Sequence, residues 1–261
     1  MKEKKEFAEE RRTKILHFLE QNKKADVTEL SGILGVTEAT IRRDLIFLEN
    51  KDCLYRTHGG AIYREKQVIW QTTSLSDRQV QNHEEKLRIA LYVASLVSDG
   101  ESLMIDGGST TLLLAHELAK KRNLLVITNT STIGDEIIKS DNGNKVFLAG
   151  GELIYGTFAT LGPLTESTIR SFRVNKAIIG LSALHPSQGC FSAIPQEGVI
   201  KRLMMEYAQE KIIITDSSKI GKIALSFVCD LNNIDKLITD SNIEAKDLEK
   251  IRQQGVEVFV V

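Results

Sequence analysis

Cysteine is scarce in this 261-residue chain, and what there is lies scattered. Cys53, Cys190 and Cys229 show no Cys-x-x-Cys or Cys/His spacing, which excludes a disulfide framework and a structural zinc site and leaves them as small core residues. Long apolar runs are missing too. No stretch approaches the roughly 20 residues that span a bilayer, and the first six residues, Met1-Lys2-Glu3-Lys4-Lys5-Glu6, are charged where a signal peptide needs an apolar core. The expectation is a cytoplasmic protein without a membrane partner. Charge of one sign is not in excess either: 34 Lys and Arg stand against 35 Asp and Glu. That balance argues against wholesale coating of nucleic acid, although a small module needs only local positive charge to bind it. Internal repeats and low-complexity tracts are absent.

What is present is ordinary globular material, 42% hydrophobic and 26% charged, long enough for a small and a large domain. Residues 1–66 hold 14 basic against 12 acidic side chains and the remainder 20 against 23, a weak polarity that favours an N-terminal nucleic-acid module. The first segment carries three apolar stripes of helical period: Ile15, Leu16 and Leu19, then Leu30, Ile33 and Leu34, then Ile41, Leu45 and Leu48. Residues 1–64 therefore form a first domain. From 65 to 84 the period is lost in a segment rich in Gln, Ser, Thr and Asp, read as a linker with Trp70 as a packing anchor. Across 85–261 helical stretches alternate with short apolar runs, at Ser102–Ile105, Leu124–Thr128, Lys145–Leu148, Lys176–Ile179, Lys211–Thr215, Lys236–Thr239 and Val256–Val261. Such alternation implies βαβ units, a mainly parallel sheet with helices on both faces, and ligands at the carboxyl ends of the strands.

In the first domain Thr28 is placed to cap a helix ending near Leu34, Gly35 to make the turn, and Thr37 to cap the next helix. On that helix Arg43 falls opposite the apolar stripe, with Ala39 and Thr40 beside it and Arg42 at the border. A helix start of this kind suits the major groove, where Arg bridges guanine O6 and N7 and Thr or Ala methyls meet thymine. Arg on a helix face is also commonly just solvated, and the helix-turn-helix shape also serves as a plain packing unit. The acid Asp44 would repel phosphates, so its role is structural. Downstream, Leu54-Tyr55-Arg56-Thr57-His58-Gly59-Gly60-Ala61-Ile62-Tyr63 reads as a hairpin around a Gly-Gly turn of positive φ, the wing of a winged helix-turn-helix, with Arg56 and His58 near a tip that can reach phosphate or minor groove. The assigned DNA contacts are Thr37, Glu38, Ala39, Thr40, Arg42, Arg43, Arg56 and His58.

Thr40-Ile41-Arg42-Arg43-Asp44-Leu45, with Leu48 and then Arg56-Thr57-His58-Gly59-Gly60-Ala61, resembles the DNA-binding signature of the DeoR family of transcriptional regulators, both halves at the family's spacing. Asp52 departs from it, standing where the family usually has glycine. In the larger domain, Asp106-Gly107-Gly108-Ser109-Thr110-Thr111 follows a strand and opens a helix, a combination of amides, hydroxyls and helix N-terminus suited to phosphate, although it is also a common plain turn. Together with Thr128-Asn129, Gly150-Gly151, Leu161-Gly162 and Asp216-x-x-Lys219-x-Gly221 it is similar to the DeoR sensor domain, itself similar to ribose-5-phosphate isomerase. The resemblance implies a sugar-phosphate effector. It gives Gly108, Ser109, Thr110 and Thr111 the phosphate, Asp106 and Asn129 sugar hydroxyls, Glu197 a hydroxyl as well, and Lys219 a positive charge by the ligand. Taken as plain structure, Asp106 caps a helix, Gly150-Gly151 ends a strand, and Lys219 is a surface lysine held by Asp216.

A sugar-phosphate isomerase or deaminase with an added DNA module is the competing reading, and a constitutive architectural DNA binder a third. Isomerisation needs a carboxylate base by the substrate. Where the isomerases carry acids after a strand, this chain has Gly180-Leu181-Ser182-Ala183-Leu184 followed by His185. The expectation is therefore a regulator with no catalytic residues, metal or cofactor. It is read as a repressor of a carbohydrate operon that binds double-stranded operator DNA as a homodimer or homotetramer, and in most of the family the phosphorylated sugar releases the operator.

Overall fold

The structure, a computed structural model, describes residues 2–50, 53–63, 68–69 and 74–261. Asp52 and Trp70 lie outside the described residues. The chain divides into two compact units, 1–67 and 68–261.

In the first unit, helices α1 (Lys2–Asn22), α2 (Val27–Leu34) and α3 (Glu38–Glu49) accompany short strands β1 (Lys24–Asp26), β2 (Leu54–Arg56) and β3 (Gly60–Tyr63). The strands form an antiparallel sheet in the order β1-β3-β2. Ile15, Leu19, Leu30, Ile41, Leu45, Leu48 and Leu54 make its core, each contributing about 1.5–3 kcal/mol of burial. Ile33 departs from the expected stripe and is 56% exposed. The start of α2 also differs from the sequence reading. Strand β1 carries Asp26 to the N-cap, so Thr28 sits inside the helix. The helix stops as expected, at Gly35 in the left-handed conformation, whose amide donates to the Ser31 carbonyl. The hairpin glycines are a second difference, since neither Gly59 nor Gly60 has positive φ. Gly60 is required by close approach instead: a Cβ there would overlap the carbonyl oxygen of Ala25 on β1.

The second unit begins with α4 (Leu75–Val80), in the segment expected to be a linker, and α5 (His83–Ser95). Strands and helices then alternate: β4 (Ser102–Ile105), α6 (Ser109–Leu118), β5 (Leu125–Thr128), α7 (Ser131–Ile138) and β6 (Lys145–Leu148). A hairpin of β7 (Glu152–Ile154) and β8 (Ala159–Leu161) leads into α8 (Pro163–Arg170) and β9 (Val174–Gly180). After β10 (Ala183–His185) and β11 (Gly189–Ser192) come α9 (Pro195–Glu206), β12 (Ala208–Ile214), β13 (Ser226–Cys229), β14 (Lys236–Thr239), α10 (Ala245–Gln253) and β15 (Glu257–Val260).

Seven strands, one in each of the expected apolar runs, form a parallel sheet in the order β15-β14-β12-β9-β4-β5-β6. Alternate residues serve opposite faces. Ile105, Ile178, Ile212 and Ile238 pack with α5, α6 and α7, and Met104, Ala177, Ile213 and Leu237 with α8, α9 and α10. The short β10, β11 and β13 form an antiparallel sheet that the apolar runs did not reveal. From β4 the chain winds outward through β5 and β6, then returns to β9 on the other side of β4. The order reverses between β4 and β9, and an open α/β sheet leaves its crevice at the carboxyl ends of such a pair.

Candidate functional site

In the first unit, Thr37 caps α3 through its hydroxyl, which accepts from the Thr40 amide, and Thr37 and Thr40 share a hydroxyl contact of 3.1 Å. The inward face of α3 holds Ile41, Asp44, Leu45 and Leu48. Asp44, 2% exposed, accepts from Arg11 Nε at 2.6 Å and Arg12 Nε at 2.8 Å, locking α1 to α3. Arg12 also lies 3.6 Å from the ring centroid of Phe47, a cation–π contact. The acid in the signature is therefore a fastener of the helix, as its charge required.

On the outward face Ala39, Arg42 and Arg43 are exposed. Glu38 accepts from Arg42 at 2.7 Å and from the Thr28 hydroxyl at 2.9 Å. Both its oxygens are thus engaged, and the side chain ties α3 to α2 while orienting Arg42. Arg43 has no ion-pair or hydrogen-bond partner among the described residues, which leaves its full guanidinium fork available. In the hairpin, the Arg56 amide donates to Glu49 Oε1 at 3.2 Å and its guanidinium lies 3.5 Å from Glu49 Oε2, linking wing to helix. His58 is exposed in the turn, where the Thr57 amide donates to the Gly60 carbonyl.

In the second unit the expected effector residues converge on the carboxyl edge of the sheet, but most are occupied. Asp106, 2% exposed, does not cap α6, whose N-cap is Gly108. Its Oδ1 accepts from the Gly180 amide at 2.8 Å, and its Oδ2 is paired with Lys201 of α9, itself 5% exposed. Lys201 also donates to the Gly180 carbonyl at 3.1 Å. This pair closes the switch point between β4 and β9. Ser109, Thr110 and Thr111 are each under 5% exposed, and the Thr111 hydroxyl donates to the Gly108 carbonyl. Asn129 Nδ2 donates to the Thr160 carbonyl at 2.9 Å. Gly150 and Gly151 sit at a strand end, where the Gly150 carbonyl accepts from the Thr165 hydroxyl at 2.7 Å. Glu197 is partly buried near Ser192, and burial pushes its carboxyl above the usual range, against the pull of Lys201 and Arg78.

The open space lies beside this edge. A cavity of about 230 Å³ is lined by Arg78, Lys86, Lys219 and Lys222, by Asp216 and Ser218, and by Leu181, Ser182 and Ala193 among others. Of the expected effector residues only Lys219 lines it; the start of α6 does not. Burial, with Lys86, Arg78 and Lys201 crowding positive charge around it, pushes the Lys219 ammonium down to about 8 despite the opposing pull of Asp216. Burial likewise lowers Lys86, which is 2% exposed. Asp216 is 1% exposed. Burial pushes its carboxyl up, but Lys219, Ser218, Lys86 and Asn82 outweigh this and hold it below the usual range. Its Oδ1 accepts from Ser218 and from Asn82 Nδ2, whereas Oδ2 accepts no hydrogen bond and has Lys219 Nζ at 3.8 Å. Such a site offers cations for an anion and one carboxylate oxygen for a hydroxyl donor. Arg78, Lys86 and Lys201 carried no signal in the sequence reading, because a lone basic residue on a helix has the same pattern whether it faces water or a cavity.

Among the described residues no helix is long and apolar enough to cross a membrane, and no cluster of His, Cys, Asp or Glu is placed to hold a metal ion. A family model described as the DeoR C terminal sensor domain matches residues 81–241, and one described as the DeoR-like helix-turn-helix domain matches 11–67. The chain is similar to a putative aga operon transcriptional repressor of Escherichia coli O157:H7, 29% identical over 97% of this chain and 93% of that protein. It is also similar to the HTH-type transcriptional regulator GolR of Listeria innocua, 33% identical over 97% of this chain and 99% of that protein. Among solved structures it is similar to ribose 5-phosphate isomerase A of Methanocaldococcus jannaschii, 16% identical with a TM-score of 0.40, covering 54% of this chain and 55% of that one.

Proposed function

The chain belongs to the DeoR family of DNA-binding transcriptional regulators, and from that premise we propose that it is a cytoplasmic repressor of a carbohydrate operon, released from its operator by a phosphorylated sugar. It is a regulator and not an enzyme, as its family and relatives are. The observation that carries the effector reading is the cavity in which Arg78, Lys86, Lys219 and Lys222 surround Asp216. The cations match a phosphate dianion, and Asp216 Oδ2 matches a sugar hydroxyl. We place the phosphate there rather than at Ser109 to Thr111, because the cavity is open and the start of α6 is buried. Asp106, Gly108 and Asn129 then serve as the frame of the edge, and Glu197 as a hydroxyl acceptor near Arg78.

On the DNA side Arg43 reads bases, Ala39 and Thr40 offer methyl contacts, and Thr37, Arg42, Arg56 and His58 position the unit on phosphates. Glu38 acts by orienting Arg42. One such unit reads only a few base pairs, so a homodimer or homotetramer on repeated half-sites supplies the specificity. The ligand shifts DNA affinity only by binding the competent and incompetent states unequally.

The test is binding of the purified protein to DNA from upstream of its own gene neighbourhood, at fixed near-physiological salt, with and without a panel of sugar phosphates. Loss of specific binding with one compound is expected, with Lys219→Met abolishing the response and Thr110→Val preserving it. A response lost in Thr110→Val but kept in Lys219→Met would move the phosphate to α6. Arg43→Ala is expected to flatten sequence preference while leaving ligand binding intact; retained selectivity would remove Arg43 from the reading face.

A further inference from the structure

Asn82 occupies the N-cap of α5, the position from which an asparagine side chain normally accepts from its own helix's free amides. Here it does not. Its backbone is left-handed, with φ of 51°, a conformation costly for a side-chain-bearing residue, and its amide reaches across the fold instead. Nδ2 donates to Asp216 Oδ1 at 3.0 Å and to Ser218 Oγ at 3.1 Å, 134 and 136 residues further along the chain. Both amide hydrogens are spent on the turn that follows β12.

Two more ties hold the same segment. Lys86 Nζ donates to the carbonyls of Arg78 and Gln81, at 2.5 and 2.6 Å, fastening the end of α4. The Ile69 amide donates to the Ile223 carbonyl at 3.2 Å, and the Leu225 amide to the Ile69 carbonyl at 2.8 Å. Ile69, Arg78, Gln81 and Asn82, from the start of the second unit, thus line one wall of the cavity, and Asp216, Ser218, Lys219 and Lys222 the facing wall. We propose that Asn82 is the positioning residue that couples the two walls, so that an anion held by Lys219, beside which Asp216 Oδ2 lies at 3.8 Å, tightens residues 74–82, the segment through which the chain enters from the DNA-binding unit. This inference rests on the effector reading of the cavity. A ligand spanning Arg78 and Lys219 draws the walls together, and Asn82 carries the movement because its only side-chain donors are on Asp216 and Ser218. Coupling of this kind requires a contiguous element that the ligand biases, and the segment from 74 to 86, tied by Asn82 and Lys86, is one.

The test uses the full-length protein, with inorganic phosphate and glucose 6-phosphate as probes, reading affinity by calorimetry and backbone amide exchange by mass spectrometry. In the unsubstituted protein, exchange is expected to slow in both 74–82 and 216–222 when a probe binds. Asn82→Gly keeps the left-handed backbone and removes the tie. It is expected to weaken probe binding by less than about threefold, against more than about tenfold for Lys219→Met, and to slow exchange at 216–222 alone. Unchanged protection of the sheet amides at 103–105 and 177–179 shows that the variant is folded; should they lose protection, Asn82→Ser replaces it, with the same split expected. If the substituted protein still tightens 74–82, or if it loses affinity as fully as Lys219→Met, Asn82 is not the coupling residue. If neither probe binds the unsubstituted protein, the cavity reading fails and the coupling with it, a result distinct from binding without transmission.

Discussion

Single side chains in this protein are decided by the charges around them. Asp44 sits among apolar neighbours on α3 and would be costly there alone; Arg11 and Arg12 make it a clamp. Asp44→Ala removes two charge-assisted bonds and is expected to destabilise the first unit by about 2 kcal/mol, seen as a lower denaturant midpoint for that unit with effector binding unchanged. Its role was legible from the sequence because an acid inside a DNA-facing signature has no use against phosphate. Lys219 is different: its place in a motif is legible from the chain alone, but only the enclosed surroundings bring its ammonium down to about 8. Below that pH it is a cation, which the proposed effector site requires to hold a phosphate, and as pH rises through about 8 it becomes neutral. Effector affinity is therefore expected to fall between pH 7.5 and 9, and binding near pH 8 to take up protons, which calorimetry in buffers of different ionisation enthalpy measures. Because the folded pKa is lowered, this group by itself makes folding more favourable as pH climbs from about 8 toward 10.5.

Helices and strands follow local rules where their neighbours in sequence decide them. Thr37 caps α3 as its place before an apolar stripe demands, Gly35 ends α2, and every parallel strand falls in an apolar run bounded by Asp, Gly or Asn. The exceptions have a partner far away. Asp26 rather than Thr28 caps α2 because β3 pairs with β1 and fixes Asp26 at the helix mouth. The strands β10, β11 and β13 are too short for a period to register, and their pairing, Cys190 opposite Cys229, spans 39 residues. Between elements, the Lys201–Asp106 pair ties α9 to the end of β4. Lys201→Met leaves Asp106 buried without its cation and is expected to cost about 3–5 kcal/mol, whereas the double substitution Asp106→Leu with Lys201→Met recovers much of it. Chemical denaturation of Lys201→Met, Asp106→Leu and the double variant measures this, and a loss in the double variant equal to the sum of the two single losses would show that the pair adds no coupling.

At the scale of the whole molecule, the reversal of strand order between β4 and β9 collects the ends of β4, β9 and β12 at one edge, and the segment following the DNA-binding unit supplies the cavity's remaining wall. A net charge of −1 leaves DNA affinity to local cations rather than to the overall field. Association with operator DNA is therefore expected to show two or four chains per duplex by analytical ultracentrifugation, with log affinity falling by about 0.9 per phosphate neutralised for each unit of log salt. One chain per duplex with full selectivity would overturn the oligomeric reading.

The sequence by itself determined what short-range periodicity and capping encode: the helix-turn-helix with its wing, the seven-stranded parallel sheet, the family, and the outward place of Arg43. Tertiary structure alone decided that the start of α6 is buried, that Asp106 is spent on Lys201 and Gly180, and that Arg78, Asn82 and Lys86 meet Asp216 and Lys219, with Asp216 lying 134 residues beyond Asn82 in the chain. The physical reason is that a basic or polar residue on a helix carries the same local pattern whether it faces solvent or a cavity. Its charge acquires a function only where the fold removes water and sets a partner beside it.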